Sequence, residues 1–169
     1  MPSIDIVEAD LDNTDHQRAV VDLIQAYALD PMGNGRPLPP ETRHALIPGL
    51  KQLPTTTIFL AYQEGRAIGI AVCFQGFSTF AARPLINIHD LAVLPEHRGH
   101  GVGRRLLEAV ERKAQELDCC KITLEVAENN HKARQIYRAA GFAQTVYAPG
   151  AGGALFMSKP LKRMANTAT

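Results

Sequence analysis

At Val102 the hydrophobic period of the chain changes abruptly. From Thr57 to Leu94 the apolar residues come in short runs suited to strands. From there Val102, Leu106, Val110, Ala114 and Leu117 recur about every fourth residue, which predicts an amphipathic helix with Arg104, Arg105, Glu108, Glu111 and Arg112 outside. The junction reads Arg98-Gly99-His100-Gly101-Val102-Gly103-Arg104. Glycines let successive backbone N–H groups point into one concavity, and the helix N-terminus adds the positive end of its dipole. The coincidence of three glycines, flanking arginines and a following helix predicts a pyrophosphate-binding turn rather than a flexible connection. A dinucleotide fingerprint would need a glycine where Arg104 or Leu106 stands, and a P-loop would need Gly-Lys-Ser/Thr, which the chain lacks. Neither NAD nor ATP is favoured.

Shorter signals place the other elements. Ser3 to Val7 alternates as a strand, and Thr14 is expected to cap a helix with Val20, Val21, Ile24 and Tyr27 or Ala28 inward, ending at Asp30-Pro31. The stretch Asp30 to Pro40 is broken by prolines and glycines and leads into a helix from Glu41 to about Leu53. Thr57 to Tyr62 and Ala67 to Phe77 flank a hairpin turn, and a further strand runs from Leu85 to Leu94. Lys121 to Val126 alternates as a strand, and Asn130 to Ala140 is helical with Gly141 at its end. Two last strands are expected near Phe142 to Tyr147 and Ala154 to Ser158. The expected class is α/β (α+β): one domain over residues 1–169, a mixed, mostly antiparallel sheet of about seven strands with helices on both faces, and a disordered tail at about 163–169.

Composition narrows the partners. Lys+Arg number 18 against Asp+Glu 17, so no global field recruits nucleic acid or an anionic membrane, and the expected partner is a small molecule. Met1 to Ala9 carries acids where a secretory signal needs a basic and then an apolar stretch, and the apolar runs are short for a bilayer span. A soluble, cytoplasmic protein is expected. Cys73, Cys119 and Cys120 read as reduced packing residues, and His89, Asp90, Glu96 and His97 lack the spacing of a metal site.

Taken together, these residues resemble the GNAT superfamily of N-acetyltransferases. That family's pyrophosphate loop reads Arg/Gln-x-x-Gly-x-Gly/Ala, matched by Arg98, Gly101 and Gly103. Leu91-Ala92-Val93-Leu94-Pro95 is similar to its central strand, and Leu124-Glu125-Val126 with Asn130, Ala133, Tyr137, Gly141 and Phe142 to its distal motif. The resemblance implies acetyl-CoA as cosubstrate and no metal. Leu91, Ala92 and Val93 would lend backbone groups to the pantetheine arm. The loop Arg98, Gly99, His100, Gly101, Val102, Gly103 and Arg104 would hold the pyrophosphate, with Asn130 and Ala133 on the far side of the arm. A homodimer through the C-terminal strands is also implied.

Amine chemistry sets the remaining roles. An alkylamine is neutral at pH 7 only to the order of one part in a thousand, so a proton acceptor is expected. His89 is the first choice, since relatives often carry a glutamate there, and Asp90 is the second. Strand alternation would put the two on opposite faces. The backbone N–H of Val93 would stabilise the oxyanion, and Tyr137, by its match to the family's tyrosine, would donate to the departing sulfur. Read from position alone, Tyr137 is a core residue on the apolar stripe of its helix. Phe77-Ser78-Thr79-Phe80 and Ile88-His89-Asp90-Leu91 resemble the diamine acetyltransferase branch, with His89 where that branch has glutamate. Tyr27, Asp30, Phe77, Phe80 and Asp90 are the candidate acceptor contacts. The leading expectation is acetylation of a small-molecule amine. The alternatives are acetylation of a protein N-terminus or lysine, and a non-catalytic acetyl-CoA-binding module.

Overall fold

A computed structural model describes residues 3–161, and the tail expected at about 163–169 lies outside the described residues. The elements run β1 (Ile4–Glu8), α1 (Thr14–Leu29), α2 (Pro40–Lys51), β2 (Thr56–Gln63), β3 (Arg66–Ser78), β4 (Arg83–Val93), α3 (Val102–Glu116), β5 (Ile122–Leu124) and α4 (His131–Ala139). Asn13, not Thr14, caps α1: its side-chain oxygen accepts from the N–H groups of Asp15 and His16 at 2.9 and 3.3 Å. Pro40 opens α2, where its missing N–H would have had no partner anyway.

The sheet has the order β1-β2-β3-β4-β5, antiparallel throughout except for the parallel β4–β5 pair. One face packs Phe59, Ala71, Cys73, Ile86 and Ile88 against Val102, Leu106 and Val110 of α3. The other packs Ile58, Leu60, Ile70 and Val72 against Val20 and Leu23 of α1 and Leu50 of α2. Helices therefore cover both faces, as the two periods require. Among the described residues, no helix is long and apolar enough to cross a membrane.

Gly69 sets how closely α3 sits on the sheet. A Cβ there would meet Val102 Cγ1 at 3.1 Å, Ala92 O at 3.2 Å and Leu106 Cδ1 at 3.2 Å. Gly69→Ala is expected to lose about 1–3 kcal/mol of stability in urea unfolding, because the start of α3 must lift from β3 and β4. A variant as stable as wild type would show that the helix has slack.

The sheet has five strands rather than about seven. Phe142 to Tyr147 and Ala154 to Ser158 form no strand, although the turn between them is made: Gly150 and Gly152 have φ of 80° and 75°, and the Ala154 N–H donates to Thr145 O at 2.8 Å. Strands are expected from the sequence on both sides of this turn, but a strand needs an edge to pair with. β5 is the last strand of the sheet and offers three residues, too few ladder bonds to offset the ordering of two further segments.

Candidate active site

The site grows from the way β4 ends. Its parallel pairing with β5 lasts only from Ile86–Ile122 to Ile88–Leu124. The β4 edge from His89 to Val93 therefore has no described strand beside it on that side. A bulge falls at His89, since Val72 pairs with Asp90 and Cys73 with Ile88. The extra residue resets the alternation: Ile86 and Ile88 face the α3 side, and so do Leu91 and Val93. Asp90, opposite Val72, joins Ala92 on the α1 side. His89 is exposed, and its ring lies edge-on to Phe74 of the α1-side core, centroids 5.6 Å apart. The expectation that the two residues point to opposite faces is thus overturned by the bulge, which brings both to the α1 side.

A single turn of 3₁₀-helix, Pro95–His97, leads from β4 into the glycine-rich loop. Gly101, with φ 81°, is the N-cap of α3 and contributes no side-chain cap. Any L-residue would be strained there. The first helical bond is from the Arg105 N–H to Gly101 O at 3.1 Å. The amides of Val102, Gly103 and Arg104 precede it and have no intrahelical acceptor. A Cβ on Gly103 would meet only Val93 Cγ2, at 4.0 Å, so this open cradle adjoins the end of β4. Backbone donors, a helix dipole and open space above them fit a diphosphate.

The side chains of the loop behave differently from its backbone. Arg104 pairs along its own helix with Glu108 at 3.6 Å, and His100 is exposed. Arg98 is engaged by Asp30 at 2.5 Å. Asn130 caps α4, accepting from the Ala133 N–H at 3.2 Å.

Tyr137 is half-buried beside the α3-side core, its ring edge-on to Phe142 at 5.9 Å. Burial, with Tyr27 adding to it, pushes its phenol up to about 12. Tyr27 at the end of α1 is raised in turn, first by burial and then by the carboxylates of Asp90 and Asp30. Three of the expected residues, Asp30, Asp90 and Tyr137, thus lie within electrostatic reach of a fourth, Tyr27, at the strand splay. Asp90 is raised by burial, against which the nearby His89 acts. Asp30 is held below the usual carboxylate range by its hydrogen bond from Arg98. Burial and Asp90 push the Cys73 thiol up to about 12, so it stays protonated and packs as an apolar group.

Phe77 and Phe80 are not brought to this cluster. Phe77 pairs with Pro84 while Asp90 pairs with Val72, six residues further along β4 and so about 20 Å away at ~3.3 Å per residue. Both rings are exposed at the β3–β4 hairpin. Two open grooves of about 790 Å³ lie elsewhere, one between α1 and α2 and one beside the β2–β3 turn. Neither is lined by Tyr137 or by the loop from Arg98 to Arg104.

A family model described as the Acetyltransferase (GNAT) family matches residues 21–142. An uncharacterized N-acetyltransferase of Archaeoglobus fulgidus is 34% identical over 97 residues, 57% of this chain and 63% of the relative. The thialysine N-epsilon-acetyltransferase of Bos taurus is 30% identical over 83 residues, 49% of this chain and 48% of the relative. The matches thus span less than two thirds of these relatives' length. In fold, the chain is similar to the aminoglycoside N-acetyltransferase AAC(6')-Iy in complex with CoA, with a TM-score of 0.72 at 21% identity over 95% of this chain and 97% of the other. The matched stretch takes in the splay, the amide cradle and Tyr137, and the chain belongs to the GNAT family of acetyltransferases.

Proposed function

We propose that the chain is an acetyl-CoA-dependent N-acetyltransferase that acylates a primary amine of a small molecule by direct attack in a ternary complex. The observation that carries this reading is the meeting, at one strand splay, of an amide cradle with a tyrosine and acid cluster. Acetyl-CoA, when bound, supplies the acyl group. The amides of Val102, Gly103 and Arg104 would hold its diphosphate. The open edge of β4 at Leu91, Ala92 and Val93 would hold its arm, with Asn130 and Ala133 opposite. The Val93 N–H stabilises charge on the carbonyl oxygen, and Tyr137, protonated at neutral pH, donates to the departing sulfur.

Proton acceptance falls to the bulge. Asp90 takes the amine's proton beside Tyr27, and the exposed His89 relays it to solvent. An acceptor must be ionised to act. Burial raises Asp90, so kcat/KM should fall as pH drops through a value above the ordinary carboxylate range. Asp90→Asn is expected to lower kcat/KM about a hundredfold and to remove that acidic limb, and His89→Ala to shift it with a smaller loss. Profiles unmoved in both variants would assign proton acceptance to water.

Two further properties belong to the same reading. Val146, Tyr147, Leu155, Phe156 and Met157 are exposed apolar residues beyond the short edge strand, and covering them in a homodimer would remove this surface from water. Three free cysteines suit a reducing, cytoplasmic location. A panel of polyamines, amino acids, aminoglycosides and short peptides, read by thiol release from acetyl-CoA, tests the function. Turnover with a small amine is expected. Turnover with peptides alone would replace the small-molecule reading, and release with none would leave a binding module.

A further inference from the structure

We infer that Asp30 is a positioning residue for the cofactor site, acting through Arg98, and that this pair joins the root of the 30–40 segment to the end of β4. The inference rests on the reading of the α3 start as the cofactor cradle. Asp30 and Arg98 are 68 residues apart in sequence, and their contact closes a chain of directed bonds. Asp30 Oδ1 accepts from the Met32 N–H at 2.8 Å, and Oδ2 accepts from Arg98 Nη2 at 2.5 Å. The Asp30 side chain is only 9% exposed and the Arg98 side chain 49%. Arg98 Nε in turn donates to Val93 O at 2.9 Å. The Leu94 N–H of the same peptide unit donates to Ile68 O at 2.9 Å. The peptide that ends β4, beside the amide cradle, is therefore held at both polar ends.

The other end of the tie is as firmly built. Gly33 N–H donates to Asp30 O at 2.8 Å, and the Asn34 and Arg36 N–H groups donate to Ala28 O at 3.2 and 3.1 Å. The root of the segment is thus folded back on the last turn of α1, so closely that a Cβ on Gly33 would lie 2.1 Å from Tyr27 O. Tyr27 belongs to the reactive cluster. Through Asp30 and Arg98, the element that carries Tyr27 and the strand end that adjoins the diphosphate cradle hold each other in place. A bidentate guanidinium spans the two acceptors, and a lysine ammonium does not.

The sign of one measurement separates this from a simple charge effect. Removing a carboxylate near an anionic ligand by itself tightens binding. If Asp30 positions Arg98, Asp30→Asn weakens it, and calorimetric titration of acetyl-CoA is expected to show a loss of at least about tenfold. Unchanged or tighter binding overturns the inference. Arg98→Lys keeps the charge and should lose about as much, and it supplies the same measurement should Asp30→Asn fail to fold. The double variant is expected to bind within about twofold of the weaker single variant, because both break one tie, and additive losses would overturn the coupling. In turnover, Asp30→Asn is expected to raise the KM of the amine, as Tyr27's helix end loosens, and an unchanged KM argues against it. Wild-type protein that binds no acetyl-CoA overturns the cofactor reading and this inference with it. Wild-type binding with an unaffected Asp30→Asn overturns this inference alone.

Discussion

Gly103→Asp is expected to abolish measurable acetyl-CoA binding while leaving the unliganded protein at least as stable as wild type. The position admits a side chain: its Cβ would meet nothing nearer than Val93 Cγ2 at 4.0 Å, and its backbone is not left-handed. An aspartate in the first turn of α3 also complements the helix dipole, worth about 0.3–1 kcal/mol to the empty protein. The same charge is hostile to the ligand. Two like charges about 4 Å apart repel by roughly 4 kcal/mol near a protein surface, which is on the order of a thousandfold in affinity. Opposite effects on stability and binding distinguish loss of the site from loss of the fold. Gly103→Ala is the control, with binding expected within about tenfold of wild type. Calorimetry that finds Gly103→Asp binding acetyl-CoA normally would sink the assignment of the cradle.

Tyr137→Phe should lower kcat by about a hundredfold with little change in acetyl-CoA affinity. Phenylalanine keeps the ring that packs edge-on to Phe142, so the fold around α4 has no reason to change. What it loses is the hydroxyl proton. Because burial raises this phenol to about 12, it is protonated across neutral and moderately alkaline pH, and a proton donor fails only when pH passes its own value. The wild-type rate should accordingly show no alkaline limb from Tyr137 below about pH 11. Full activity in the phenylalanine variant would return Tyr137 to the core and leave departure of the sulfur to water.

The glycine loop and α3 were legible because both depend on neighbours a few residues away. The helix begins at Val102, where the apolar period changes, and the residues just before it are the glycines whose backbone forms the cradle. The hairpin of β2 and β3, the helix before Asp30-Pro31 and the helix from about Asn130 to Ala140 were readable for the same reason. The bulge at His89 was not, since nothing local to Ile88-His89-Asp90 says that Val72 and Cys73 will face only two of the three. That one residue decides which face Asp90 serves. The motif places Arg98 in the phosphate loop, but nothing near it in sequence says that its guanidinium meets Asp30, 68 residues away.

Period and turn chemistry in the chain thus determined the order of elements up to α4, the two-faced sheet and the backbone cradle at the start of α3. Tertiary structure decided what depended on long-range pairing. It ended the sheet at β5, set both His89 and Asp90 on the α1 side, and joined Asp30 to Arg98. Hydrophobic period and backbone dihedrals are properties of a few adjacent residues. A strand register or an ion pair exists only once two distant segments have met, and which segments meet is a property of the whole core.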